Sequence, residues 1–133
     1  MTGLVKTERP ELLCGRTWCV ATGCGKVYIT INWYEGRVFE VFLTAGKAGG
    51  CMSSTTETIG KLISREGAYG LPAEELVKSL KGISCKENML MGPKSCTDAL
   101  GIVLEKDIAL EAEAQPELPE LAEPEEADEP DRD

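Results

Sequence analysis

Cysteine is the residue type with which this chain could do chemistry. The 133 residues include six cysteines and no histidine. A histidine general base, a Ser-His-Asp triad and histidine metal ligands are therefore excluded within the chain, which removes most hydrolase mechanisms. Neither a Walker A loop nor a G-x-G-x-x-G turn occurs, and the carboxylates are scattered. What remains is a site built from thiols.

Four of the cysteines lie in turns or at predicted helix starts, where backbone NH groups can face a thiolate. They are Cys24, Cys51, Cys85 and Cys96. Four thiolates suit a tetrahedral zinc ion or an iron-sulfur cluster, and we prefer zinc to the cluster. Because the spacing contains no C-x-x-C pair, two alternatives stay open. The cysteines would then be buried as small hydrophobic residues or would form redox pairs.

The glycine-rich segment 45–50 is a candidate phosphate-binding site because it precedes a predicted helix. Exposed NH groups, the helix dipole and the Lys47 ammonium would face an anion, with Gly49 and Gly50 allowing close approach. The alternative is a flexible connection between a strand and a helix. The lysines that could extend a basic patch for nucleotide or nucleic acid are Lys81, Lys86 and Lys94.

Strands that must position these residues are predicted by alternating apolar residues over 27–34 and 39–43. Glu35-Gly36 between them predicts a tight antiparallel hairpin, and residues 17–22 predict a third strand. Aromatic side chains of such strands usually pack in a core or an interface rather than stack on bases. The aromatic residues concerned are Trp18, Trp33, Tyr34 and Phe42.

Three helices follow the strands. Ser54 and Glu57 form an S-x-x-E capping box in a helix over 51–66, a second helix lies between Pro72 and Gly82, and a third begins at Ser95 with Asp98 as its box partner. Strands followed by helices indicate an α+β fold, a small antiparallel sheet packed by about three helices. The predicted apolar faces of the helices contain Ile59, Leu62, Ile63, Leu76, Val77, Leu80, Ala99, Ile102 and Val103.

The net charge of −9 is unevenly distributed along the chain. Residues 111–133 hold 11 of the 23 acidic residues and one of the 14 basic ones, which leaves 12 acidic and 13 basic residues upstream. This Pro- and Glu-rich run predicts a disordered acidic tail, and the near-neutral remainder argues against a dedicated nucleic-acid binder. We therefore predict a flexible N-terminus over 1–12, one domain over 13–110 and a tail over 111–133.

The start of the chain lacks the apolar run of a signal peptide, and every apolar stretch is shorter than the roughly 20 residues that span a bilayer. We therefore expect a cytoplasmic protein without a membrane partner.

Five segments of the chain, in order, resemble the TSCPD domain, which occurs near the C-terminus of class II, adenosylcobalamin-dependent ribonucleotide reductases and also as separate small proteins. The segments are TGCGKVYITIN, GRVFEVFLTAGKAGGC, a helix with IGKLI, LVKSLKGISC and SCTDAL, and they span about residues 13–104. Thr97 stands where the family motif has proline. The resemblance implies that Cys14 and Cys19 lie outside the family's cysteine positions. The cysteines that match those positions are Cys24, Cys51, Cys85 and Cys96.

The resemblance implies an accessory domain or subunit associated with adenosylcobalamin-dependent ribonucleoside-diphosphate reductase. It would give a metal- or thiol-organised docking surface to a larger reductase or to another redox-enzyme subunit. The chain is too short for the barrel that binds cobalamin and nucleotide in those enzymes, and it lacks their terminal C-x-x-C pair. We therefore expect no cobalamin binding and no reductase activity from this chain alone. The alternative is a stand-alone four-cysteine metal-binding module with weak contacts to nucleotide, nucleic acid or another redox complex.

Overall fold

Alternation of apolar and polar residues builds the sheet that carries the rest of the molecule. The computed structural model describes residues 5–45, 50–86 and 91–114. These residues form three strands and three helices, which confirms the predicted α+β class. In chain order the elements are β1 (Cys14–Thr22), β2 (Gly25–Tyr34), β3 (Arg37–Ala45), α1 (Cys51–Ala68), α2 (Ala73–Leu80) and α3 (Cys96–Ala114).

The sheet is antiparallel throughout, in the order β1-β2-β3. Glu35 and Gly36 have φ values of 52° and 79°, the left-handed conformation that the predicted hairpin between β2 and β3 requires. β2 is central, and its residues Val27, Ile29 and Ile31 are completely buried on one face. The third predicted strand is present as β1, although it begins at Cys14 instead of residue 17.

Helix α1 lies against the outer edge of β3 because its facing residues are small. A Cβ atom at Gly67 would collide with the carbonyl oxygen of Phe39, and one at Gly60 would lie 3.0 Å from the carbonyl oxygen of Val41. Between these glycines, the Ser64 hydroxyl accepts a hydrogen bond from the Val41 backbone nitrogen at 3.0 Å and donates one to the Val41 carbonyl at 3.1 Å. The helix therefore satisfies backbone groups that an edge strand would otherwise leave unpaired.

Helix α3 covers the buried face of β1 and β2, and α2 packs against α3. Leu100 and Leu104 of α3 are fully buried, and Val77 of α2 joins the same core. The chain leaves α2 through Gly82, whose φ of 91° suits a residue after a helix end. The apolar stripe predicted for α2 therefore faces the core, whereas on α3 the predicted residue Ile102 is only half-buried and lies outside the core cluster.

Two sequence predictions for α1 are wrong. The helix begins after Gly50, whose extended backbone makes it the N-cap, so Ser54 lies within the first turn and its hydroxyl bonds to the Cys51 carbonyl. Ser54 and Glu57 therefore form no capping box. Leu62, predicted on the apolar face, is 59% exposed. The reason is that the face turned to β3 is made of the small residues at 60, 64 and 67, and Leu62 lies away from it.

Residues inside the predicted flexible N-terminus contact the fold. The Thr7 backbone nitrogen donates to the Ala68 carbonyl at 2.8 Å. The Nε and Nη2 groups of Arg9 each donate a hydrogen bond of 2.9 Å to the Glu40 carboxylate. The hydrogen bond from Arg9 is the main reason that the pKa of Glu40 lies below its usual value, against the opposing effect of burial. Asn32 donates a further bond to Glu40 at 2.7 Å.

At the other end, α3 continues through Ala114, past the predicted start of the acidic tail at residue 111. The rest of the predicted tail, residues 115–133, lies outside the described residues. Of the helices that the structure describes, none is both long enough and apolar enough to cross a bilayer.

The two glycines of α1 give a paired prediction. Alanine at either position should gain about 1 kcal/mol of helix propensity. We expect Gly67→Ala nevertheless to lose about 2 kcal/mol of unfolding free energy, because its new methyl group meets backbone atoms that cannot rotate away. Gly60→Ala, with 3.0 Å available, should stay within about 1 kcal/mol of the parent protein. Urea unfolding followed by circular dichroism measures both, and equal losses would contradict the proposed close approach.

Candidate functional site

The first residues of α1 and α3 meet at one cavity. Cys51 begins α1 and Cys96 begins α3, and both line a cavity of about 250 Å³. Cys51 is exposed and Cys96 is half-buried, so reagents and partners can approach this cavity from solvent. The other lining residues are Met52, Thr55, Thr56, Ile59 and Thr97. The structure therefore brings together the two cysteines that the sequence placed at helix starts.

The start of α3 is fixed by its own capping residue. The Ser95 hydroxyl accepts a hydrogen bond from the Asp98 backbone nitrogen at 2.9 Å, as the S-x-x-D pattern predicts. It also donates to the Ile83 carbonyl at 2.5 Å, which joins the helix start to the segment after α2. Thr97, which stands where the family motif has proline, contributes a 3.0 Å bond between its hydroxyl and that of Ser95.

The Asp98 carboxylate does not complete the capping box. Its two oxygens instead accept hydrogen bonds from the backbone nitrogens of Gly82, at 2.7 Å, and Lys94, at 2.8 Å. Asp98 is buried, so these bonds compensate for the loss of water around its charge. The carboxylate therefore holds together both ends of the connection that carries Cys85. The backbone nitrogen of Cys85 in turn donates to the Lys94 carbonyl at 2.9 Å.

Cys24 lies in the turn between β1 and β2 and is exposed. The Thr22 hydroxyl shapes this turn, since it accepts from the Cys24 backbone nitrogen at 3.2 Å and donates to the Gly25 carbonyl at 2.7 Å. Cys14 and Cys19, the two cysteines outside the family positions, are exposed on β1. All six cysteines are present as thiols.

The fit of this arrangement to a metal ion is partial. Across residues 5–45, 50–86 and 91–114, no three His, Cys, Asp or Glu side chains are close enough together to hold a metal. Cys51 and Cys96 share a cavity, Cys85 is tied by its backbone to the segment before α3, and Cys24 lies in a separate turn. The four-thiolate zinc site therefore stays a prediction, and in the described residues two of its four thiols line the same cavity.

The predicted phosphate site falls largely outside the described residues. Lys47 and Gly49 belong to the undescribed segment 46–49, whereas Gly50 is the exposed N-cap of α1. Of the lysines that could extend the patch, Lys81 has its charge compensated by Glu105 at 2.6 Å. Lys86 and Lys94 are exposed beside the Cys85 segment. Phosphate binding also remains a prediction.

Asp107 is a buried charge that sequence reasoning missed. Its side chain is completely buried, and it accepts hydrogen bonds from three donors. The indole nitrogens of Trp18 and Trp33 donate at 2.9 and 2.6 Å, and the Arg16 guanidinium donates at 3.2 Å. Arg16 also bonds Glu111 at 3.0 Å. Because the donors come from β1 and β2 and the acceptor from α3, this cluster fixes α3 on the sheet.

The sequence did contain a signal for this cluster. Asp107 follows Leu100, Val103 and Leu104 at helical spacing, so a carboxylate stands in the apolar stripe of α3. A charge in such a stripe needs partners, and Trp33 shares its sheet face with Ile31. This one break in the pattern indicates that a hydrogen-bond donor faces residue 107.

Asp107→Asn should therefore destabilise the protein by about 3 kcal/mol, because the amide places an NH₂ group against a buried donor and removes the charge that faces Arg16. The matched control is Glu105→Gln on the exposed side of the same helix, which should change stability by about 0.5 kcal/mol or less. Chemical unfolding followed by tryptophan fluorescence measures both variants and reports directly on the two indoles. Similar stabilities for the two variants would contradict the role given to Asp107.

Comparison with known proteins adds one finding. The family model of the TSCPD domain matches residues 4–108 of the chain. This range is longer at its N-terminal end than the 13–104 expected from the quoted segments, and it includes the residues around Arg9 that contact the sheet. It contains the three strands, α1, α2, most of α3 and all six cysteines. No curated protein and no solved structure matches the chain.

Proposed function

The chain belongs to the TSCPD domain family, a domain found in class II ribonucleotide reductases, and on that premise we propose that it is an accessory protein of ribonucleotide reduction. In this proposal the chain performs no reduction by itself. It presents the end of the molecule where α1 and α3 begin to a separate catalytic chain of an adenosylcobalamin-dependent ribonucleoside-diphosphate reductase. The single observation that carries the proposal is the family match over residues 4–108.

The surface around the thiols supports docking to another protein. Met91, in the segment before α3, is 83% exposed, and Ile83 on the other arm of the same connection is also exposed. Exposed apolar side chains favour a protein contact over bulk solvent, and the flexible thioether of methionine adapts to a partner surface. Lys86 and Lys94 add positive charge beside them. The partner that suits this surface is a protein with an apolar patch bordered by carboxylates.

We further propose that zinc organises this docking end through Cys24, Cys51, Cys85 and Cys96. Zinc bound by thiolates acts as a structural crosslink and needs no redox change of its own. The common cavity of Cys51 and Cys96 supplies two thiolates, and binding would have to draw in Cys85 and Cys24 from their neighbouring segments. Such coupling of metal binding to local folding is usual in small metal-binding domains.

A weak nucleotide contact is the second candidate for the same end. The exposed ammonium groups of Lys86 and Lys94 favour it, whereas the ion pair between Lys81 and Glu105 removes one of the expected charges. We rank it below protein docking because the described charges are few.

Serine substitutions test the proposal. The double variant Cys51→Ser, Cys96→Ser changes both thiols of the cavity while nearly preserving their size, and Cys14→Ser, Cys19→Ser is the matched control on β1. Each protein is purified without oxygen, its zinc content is measured, and its binding to a class II reductase catalytic chain is followed by calorimetry. We expect one zinc ion per chain and reductase binding in the parent and the control, with at least a tenfold loss of both in the cavity variant.

Each alternative result has a definite meaning. Reductase binding without zinc would retain the accessory role and remove the metal from it. Zinc without reductase binding, or neither, would overturn the accessory role. Binding of a nucleoside diphosphate in place of the reductase, weakened by added salt, would transfer the assignment to the second candidate.

A further inference from the structure

The two outer edges of the sheet are treated differently by the fold. Helix α1 runs along the outer edge of β3, where Gly60, Ser64 and Gly67 meet its backbone. The outer edge of β1 receives no such cover from the described residues, since α3 contacts β1 from the face of the sheet. One edge of the three-stranded sheet is therefore covered by a helix, and the opposite edge is left uncovered by the residues that the structure describes.

The pairing register shows which backbone groups of β1 point outward. Both polar groups of the Val41 backbone face Ser64, so they point away from Ile31, the residue paired with Val41. The corresponding groups of Ile31 must then face β1, where Ile31 is paired with Arg16. By alternation, the outward-pointing residues of β1 are Gly15, Thr17, Cys19 and Ala21.

These four residues are exposed, and within the described part of the chain no backbone group from outside the sheet bonds to them. The edge is continuous, because β1 pairs with β2 without interruption from Cys14 opposite Trp33 to Thr22 opposite Gly25, although a Cβ atom at Gly15 would meet the Ile31 carbonyl oxygen. Its sequence, CGRTWCVAT, contains neither the lysine nor the proline that natural edge strands use against pairing. Such an edge is ready to accept another strand.

We propose that this edge is an interface and that its occupant is β1 of a second copy of the chain. A twofold axis beside Trp18 pairs residue 17 with residue 19 of the other copy and residue 15 with residue 21. Every outward-pointing residue of β1 thereby meets another, so the same edge is used in full on both copies, as a twofold interface requires. The result is one continuous antiparallel sheet of six strands.

Charge also favours self-pairing. The one charged residue of β1, Arg16, is turned to the helical face, where Asp107 and Glu111 accept its hydrogen bonds at 3.2 and 3.0 Å. Two copies of β1 can therefore approach without bringing uncompensated like charges together. The opposite face carries the exposed rings of Tyr28 and Phe42, at 47% and 52% exposure, and pairing would extend this face across both copies.

A single pair of strands buries less surface than the roughly 1,600 Å² of a standard stable complex, so we expect a dimer with micromolar affinity. The full chain, kept reduced, is examined by sedimentation over a range of concentrations and by amide hydrogen exchange. Cys19→Pro removes an outward NH, which edge strands tolerate, and Cys19→Lys adds a charge at the same place. Ser79→Lys adds the same charge on the exposed side of α2 as the matched control.

Self-pairing predicts a dimer whose fraction rises with concentration and in which the amide protons of residues 15, 17, 19 and 21 exchange at least tenfold more slowly. Both Cys19 variants should remain monomeric, and Ser79→Lys should dimerise as the parent does. If Cys19→Pro fails to fold, Cys19→Lys alone tests whether the edge of β1 is the dimer interface. A parent chain that stays monomeric at several hundred micromolar overturns the proposal. So does a dimer that survives both Cys19 substitutions. Protection of the four amides only on adding a reductase chain would assign the edge to that chain instead.

Discussion

A buried carboxylate is the constraint on which the rest of this molecule depends. Removing Asp107 from water costs several kcal/mol unless its oxygens are fully hydrogen-bonded. The two indole nitrogens and the guanidinium that meet this need lie on different strands, so α3 can settle on the sheet only where Trp18, Trp33 and Arg16 converge. The position of Cys96 at the start of α3 follows from that requirement.

A second buried carboxylate, Asp98, holds the connection that carries Cys85 against the same helix.

Small residues fix the other helix by a different physical route. Helix α1 has no buried charge to place it. Instead, glycine at 60 and 67 lets its backbone approach β3, and the Ser64 hydroxyl replaces a missing strand partner. The two modes of attachment converge at one cavity, which Cys51 and Cys96 both line. They also leave the sheet asymmetric, because a helix covers the edge of β3 whereas no described residue outside the sheet covers the edge of β1. The cavity that Cys51 and Cys96 line and the uncovered edge of β1 are therefore both consequences of how α1 and α3 are attached to the sheet.

The sequence predicted those features that depend on local periodicity and turn chemistry. Period-two alternation and the Glu35-Gly36 turn were sufficient for the hairpin, and the Ser95 cap was sufficient for the start of α3.

The features that the sequence did not predict depend on tertiary contacts. The face of α1 is chosen by close approach to β3, which no hydrophobic pattern encodes, so Leu62 was misplaced. Pairing of Cys51 with Cys96 at one cavity requires the relative placement of two helices, and spacing along the chain carries no information on that.

Asp107, by fixing α3, places the thiols of Cys51 and Cys96 at one cavity. The most direct test uses a chain in which the other four cysteines are serine and a short bifunctional reagent that fluoresces only after bridging two thiols. We expect a fluorescent product that peptide mapping assigns to Cys51 and Cys96, and we expect it to form several-fold more slowly when Asp107→Asn is added. Absence of this product in the chain with Asp107 intact, or an unchanged rate in the variant, would contradict this role of Asp107.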